Sequence, residues 1–297
     1  MTQRIVITGA GGQVGGYLAA EAIRQGRDVL ALTSSQWDIA DPQLAGQIVQ
    51  AGDVVVNCAA YTAVDAAESD QARAYAVNAA GPEYLAAACA RAGARMVHIS
   101  TDYVFDGDFG DAATRPYEPS DEARPLSVYG QTKLSGEQAV LAALPQAVVV
   151  RTAWVYTGGN GKDFVATMRG KAAGDQVIEM VDDQTGSPTY VADLVGALLE
   201  VVDGRVQAGI VHAANAGGAT RCGQARAVFE GLGADPERIR PVSSSHNPRP
   251  APRPTYSVLS GRQSEAAGLS PLRPWREALE AALAAPLDAR PLPSTRE

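Results

Sequence analysis

Five short runs of apolar, largely β-branched residues recur along the first half of the chain: "RIVIT" (4–8), "DVLALT" (28–33), "DVVVNCA" (53–59), "RMVHIS" (95–100) and "QAVVVRT" (146–152). Strands this continuously apolar must be covered on both faces, which is the condition of a parallel sheet. Alanine-rich stretches with helical spacing lie between them, near 13–25, 71–91 and 129–143. Each is long enough to carry the chain back for another parallel strand. The alternation predicts an α/β protein with a Rossmann-like, doubly wound parallel sheet.

After residue 152 the rhythm loosens. "GKDFVATMRGKAAG" reads as a helix, "QVIEMVDDQTGSPTY" as a strand and loop, "VADLVGALLEVV" as a helix and "GIVHAAN" as one more buried strand. From 216 onward proline and arginine become frequent, with "SSSHNPRPAPRPTYSVL" as a long loop and "RPWREALEAALA" as a final amphipathic helix. The expected organisation is a dinucleotide-binding domain of 1–152 plus 191–215. A smaller, mainly C-terminal substrate-binding lobe would comprise 153–190 plus 216–287, with 288–297 a flexible tail.

Composition excludes several functions. The 297 residues carry a net charge of −8 without a lysine or arginine block, so the electrostatic footprint of a nucleic-acid binder is missing. Cys58, Cys89 and Cys222 are widely spaced, with no Cys-x-x-Cys and no neighbouring histidines, which argues for reduced thiols and against zinc. No stretch has a signal-peptide pattern or membrane length, so neither export nor a membrane partner is expected and a cytoplasmic location fits.

The first strand runs into "TGAGGQVGG", which spaces Gly9, Gly12 and Gly15 three apart at the start of a helix. In that context glycines let the turn close and the backbone approach a phosphate, while the helix N-terminus offers free N–H groups to a pyrophosphate. The second strand ends in "LALTSSQWDIAD". An acidic residue at its tip would repel a 2′-phosphate; Thr33, Ser34 and Ser35 stand there instead, which favours NADPH with NADH also accepted. No arginine claims the extra phosphate. Asp38, several residues on, is either a turn cap or a neighbour of the adenine.

The fourth strand ends in "HISTDYVFDG", bringing Ser100 and Thr101 to the edge where parallel sheets bind ligands. The next crossover opens with "SVYGQTKLSGEQ", whose Tyr129 and Lys133 lie one helical turn apart on the same face. A phenol titrates near pH 10, and an adjacent ammonium would stabilise its anion. Tyr129 would then give a proton to a carbonyl oxygen while hydride reaches the carbon, with Lys133 tuning the phenol and Thr101 holding the oxygen.

Together these residues resemble the extended short-chain dehydrogenases/reductases. The finer motifs are similar to the dTDP-4-dehydrorhamnose reductase branch: "TGAGGQVG", "WDIAD", "VVVNCAAYTAVDAAE", "HISTDYVFDG", "PLSVYGQTKLSGE", "RTAWVY", "DDQTGSPTY" and "RPTYSVL". The likeness spans nearly the whole chain. It implies NAD(P)H-dependent reduction of dTDP-4-dehydro-L-rhamnose to dTDP-L-rhamnose, with Thr101, Tyr129 and Lys133 as the catalytic set. Gly9, Gly12, Gln13 and Val14 would cradle the pyrophosphate, Asp38 and Ile39 would lie near the adenine, and Ala59, Ala60 and Tyr61 would follow the cofactor, backed by Asn78. Lys133 would also reach the nicotinamide ribose.

For the sugar nucleotide the resemblance implies Asp102, Tyr103 and Trp154 around the hexose, and Asn160, Phe164 and Arg253 toward the nucleotide. Trp154 could equally be packing, Arg253 part of a solvated loop, and Asp182 to Gln184 only a turn. The segment 105–128 is longer than usual for the branch, which leaves the hexose less secure than the chemistry. Some members pair through a metal held by glutamates; Tyr17 stands at one of those places, so a homodimer is possible but no metal bridge is expected. Three alternatives stay open. One is reduction of another nucleotide-linked 4-keto-6-deoxy sugar. Another is a dehydratase or epimerase, disfavoured because Thr101-Asp102-Tyr103 lacks the dehydratase glutamate. The last is a non-catalytic NADP-binding regulatory subunit.

Overall fold

The computed structural model describes residues 3–159, 161–207 and 209–286. Asn160 and the proposed tail 288–297 lie outside them. Six parallel strands form the central sheet: β1 (Ile5–Thr8), β2 (Val29–Leu32), β3 (Val54–Asn57), β4 (Arg95–Thr101), β5 (Val148–Thr152) and an edge strand, Gly209–His212. From that edge the order is Gly209–His212, β5, β4, β3, β1, β2. The winding reverses between β1 and β3, so a crevice opens beyond their carboxyl ends.

Alternation along the strands explains the two cores. Ile5, Ile7, Val54 and Val56 face one side, packed on Leu18, Ala19 and Ala22 of helix Gln13–Arg24 and on Leu194, Leu198 and Val202 of helix Val191–Val202. Val6, Val55 and Met96 face the other, against Leu85, Ala86, Cys89, Val140 and Leu144. β2 departs from the expected double cover. It is the sheet edge, and all four of its residues are partly exposed. Behind the strand ends Thr8 Oγ1 donates to Asn57 Oδ1 (2.6 Å), and Asn57 Nδ2 lies 3.0 Å from the buried His98 Nδ1, linking β1, β3 and β4.

The helix expected over 71–91 is continuous but contains a wide turn: Gln71–Tyr75 leads into a π-helical Ala76–Ala80 and then Gly81–Ala92. The wide turn brings the Asn78 carbonyl against the next crossover helix, Val128–Ala143. A Cβ on Gly136 would lie 2.0 Å from that oxygen, so only glycine fits there.

A third core joins Tyr156, Val165 and Met168 to Val228, Phe229, Trp275 and Leu279. It rests on helix Arg221–Gly231, a segment that the arginine- and glycine-rich sequence does not announce. The available signal is local: Thr220 Oγ1 accepts the Gly223 N–H (2.9 Å) as an N-cap, and Cys222, Ala225, Val228 and Phe229 follow at helical spacing as its buried face. Strand Ile239–Val242, just before the long loop expected at 243–259, pairs in parallel with Ile178–Val181; the sequence pattern leaves it unassigned. Among the described residues no helix is long and apolar enough to cross a membrane.

Candidate active site

One cleft of about 710 Å³ runs along the carboxyl ends of the strands. Gly9, Gly11, Gly12, Gln13 and Val14 line its middle. Gly9 has φ +66°, and a Cβ there would lie 2.6 Å from the Ala59 backbone nitrogen, so the turn can close against β3 only without a side chain. No side chain caps the helix that begins at Gln13. A backbone cradle with uncapped N–H groups at its helix end fits a pyrophosphate.

Ser34, Trp37, Asp38, Ile39 and Arg73 also line the cleft. Asp38 is a turn cap, its Oδ1 accepting the Ala40 N–H (3.1 Å), and the residue also lines the cleft. Its Oδ2 accepts from the Arg73 guanidinium at 2.8 Å. Arg73 is a cation that sequence reasoning missed, because it arrives from the helix beyond β3.

Ala59, Ala60 and Tyr61 form the adjoining wall. Asn78 holds it from behind. Its Oδ1 accepts the Tyr61 N–H (2.8 Å), and its Nδ2 donates to the Tyr61 carbonyl (3.1 Å) and to Thr132 Oγ1 (3.0 Å). Cys58 also lines the cleft, but burial pushes its thiol up to about 12, which keeps it protonated and unreactive.

At the other end Thr101, Tyr129 and Lys133 come together. The tyrosine helix starts where Ser127 Oγ accepts the Gly130 N–H (3.2 Å) and Glu68 Oε1 accepts the Val128 N–H (2.9 Å), so its first turn is fixed from both sides. Burial raises the Tyr129 phenol above its ordinary value, partly offset by a hydrogen bond with Thr101. Lys133 lines the same cleft. Its Nζ donates to the Ile99 carbonyl of β4 at 2.6 Å, and burial lowers the ammonium to about 8 against the opposing charge of Glu137. The phenol is therefore kept protonated, the state a proton donor needs.

Thr101 is hydrogen-bonded within its own turn. Its Oγ1 donates to Asp102 Oδ1 (3.1 Å) and accepts the Tyr103 N–H (3.2 Å). Ser257 Oγ donates to Asp102 Oδ2 at 2.6 Å, and burial holds the Asp102 carboxyl up at about 6 despite both hydroxyls. Ser257 arrives from the C-terminal loop, a contact that no local pattern could reveal.

The remaining expected residues divide. Tyr103 and Trp154 line the cleft. Trp154 has φ +46°, the one positive value at a non-glycine among the described residues. Its indole covers Gly186, where a Cβ would lie 2.4 Å from the ring. The "DQTGSPT" segment is thus the bed for this indole, while Asp183 is occupied by Ser243 and Ser244. Phe164 opens helix Phe164–Ala172 and sits under the Arg221 guanidinium. Arg253 is held by Asp65 through two bonds (2.9 and 3.0 Å), and this pairing together with the Ala251 N–H keeps the Asp65 carboxyl at about 2. Tyr17 packs against the main core. Arg221, which lines the cleft, was not foreseen.

Residues 3–287 match the RmlD substrate binding domain family. A dTDP-4-dehydrorhamnose reductase of Mycobacterium tuberculosis is 66% identical over 300 residues, covering 100% of this chain and 99% of the relative. One from Mycolicibacterium smegmatis is 62% identical, covering 99% of this chain and 90% of the relative. The crystal structure of the dTDP-4-dehydrorhamnose reductase of Bacillus anthracis in complex with NADP superposes with a TM-score of 0.87 at 35% identity, covering 95% of this chain and 98% of that one. The matches cover nearly the whole chain, and it belongs to the RmlD substrate binding domain family of dTDP-4-dehydrorhamnose reductases.

Proposed function

We propose that the chain reduces dTDP-4-dehydro-L-rhamnose to dTDP-L-rhamnose with NADPH, accepting NADH as well. The observation that carries this reading is the meeting of Thr101, Tyr129 and Lys133 in one cleft with the Gly9 turn. Bound NADPH supplies the hydride that goes to the C4 carbonyl carbon. Tyr129 delivers its phenolic proton to the carbonyl oxygen, so that carbon and oxygen together gain the hydride and proton of a new alcohol. The Lys133 ammonium stabilises the phenolate left behind and steadies the ribose. Thr101, fixed by Asp102, orients the phenol.

In the same reading the N–H groups around Gly9, Gly12, Gln13 and Val14 take the pyrophosphate, with Asp38 and Ile39 at the adenine. Ala59, Ala60, Tyr61 and Asn78 form the cofactor wall. Asp102, Tyr103 and Trp154 form the hexose pocket, with Phe164 and Arg253 bordering its nucleotide side. The chain divides into a dinucleotide-binding part, 1–152 plus 191–215, and a sugar-nucleotide lobe, 153–190 plus 216–287. It works in the cytoplasm, alone or as a homodimer.

The test is NADPH oxidation by purified protein with dTDP-6-deoxy-L-lyxo-4-hexulose and, separately, with its D-xylo precursor. Turnover of the L-lyxo sugar alone, with dTDP-L-rhamnose as product, is expected. Turnover of the D-xylo sugar, or of neither, would overturn the assignment.

A further inference from the structure

Arg221 is the first residue of helix Arg221–Gly231, and its guanidinium lies 3.4 Å from the centre of the Trp154 ring and 5.1 Å from that of Phe164. It lines the cleft alongside Thr101, Asp102, Tyr103 and Trp154. Among the described residues it has no carboxylate partner; its side-chain hydrogen bond is a long one, 3.5 Å to Gln224 Oε1 on its own helix. Burial lowers its pKa to about 10, with Tyr103 and Asp102 as the opposing groups. Arg221 is partly exposed, and a cation drawn largely out of water with no ion-pair partner is costly to maintain; proteins keep one where a ligand completes it.

The neighbouring charges narrow the choice. Arg253 is already answered by Asp65, which takes two of its N–H groups. Asp102 is already engaged by Thr101 and Ser257. Of the two arginines that line the cleft among the described residues, Arg73 is bonded to Asp38 while Arg221 is bonded to no carboxylate. Its support is built with strain: Trp154 is held at φ +46° and its indole fills the place of the missing Gly186 side chain. Backbone strain of this kind persists where surrounding structure enforces it for a purpose. The indole acts as a plate that fixes the plane of the guanidinium, and a planar fork is the group suited to grip two oxygens of a phosphate.

We propose that Arg221, stacked on Trp154, takes the diphosphate of the nucleotide-sugar substrate. The proposal rests on the reduction of a nucleotide sugar set out above and names the residue that recognises its anionic part. The cofactor's own pyrophosphate is excluded as the target because the Gly9 turn and the uncapped helix after it serve that group from a different part of the cleft.

Calorimetric titration of NADPH-loaded protein with dTDP and with thymidine separates the possibilities, using wild type, Arg221→Gln and Arg221→Lys. Arg221→Gln should weaken dTDP binding by about tenfold to a hundredfold, while thymidine and NADPH stay within about twofold. Arg221→Lys keeps the charge but loses the fork and the stacking, and should weaken dTDP by at least about threefold. Unchanged dTDP affinity in either variant overturns the proposal, as does an equal loss for dTDP and thymidine, which would mean that Arg221 only supports Trp154. If Arg221→Gln no longer binds NADPH, Arg221→Lys decides alone by the same criteria. Wild-type protein that binds NADPH but not dTDP would instead sink the nucleotide-sugar reading itself, and the role of Arg221 with it.

Discussion

The two ends of the cleft use the same kinds of side chain in opposite ways. At the end proposed for the adenine, Asp38 and Arg73 pair with side chains 44% and 46% exposed. At the reactive end Asp102 and Lys133 are each 2% exposed, and both have shifted pKa values. An exposed pair is worth about 0–1 kcal/mol and can be exchanged for a ligand contact at little cost. Buried groups cannot be exchanged; their surroundings decide their protonation state and hold them ready. Recognition can therefore be left to water-exposed residues, whereas proton transfer needs residues removed from water.

The sharpest way to break this contrast is Tyr129→Phe. It should lower kcat by about 10²- to 10⁴-fold, the usual contribution of a general acid, with the NADPH dissociation constant within about twofold. Near-normal turnover would remove Tyr129 as proton donor. A smaller effect comes from pH. Lys133 is a cation below about 8 and loses its proton as pH rises through that value. Its contribution is thus present at lower pH and lost above, and log kcat should fall with a slope of about −1 beyond pH 8. A profile flat to pH 9.5 would show that turnover does not depend on the ammonium. The smallest effect belongs to the exposed end: Arg73→Ala should raise KM for NADPH by about threefold to tenfold and leave KM for NADH nearly unchanged, since a single exposed guanidinium is lost from the 2′-phosphate side. Equal changes for both cofactors would assign Arg73 to the Asp38 turn alone.

Features visible in the sequence are those whose partners are near in the chain. The Gly9 turn follows β1 directly, and Tyr129 and Lys133 are one turn apart, so their spacing carries their geometry. Contacts that escaped the sequence join residues over long separations. Arg73 reaches Asp38 across 35 positions, Ser257 reaches Asp102 across 155, and Arg253 is captured by Asp65 across 188. Arg221 lay hidden for another reason, since its helix mixes arginine and glycine with small apolar residues and has no strong apolar stripe to mark it. The partner of Lys133 could not be read either, because a backbone carbonyl such as Ile99 leaves no trace in side-chain identity.

The π-helical turn at Ala76–Ala80 makes one stretch of this chain depend on its number of residues more than on their kinds. Each helical residue advances the azimuth by about 100°, so adding or deleting one there would rotate everything that follows and carry the Asn78 carbonyl away from Gly136. The exposed side chains on that helix could change without harm, but its length could not. The cleft wall at Tyr61 is held in register by counting.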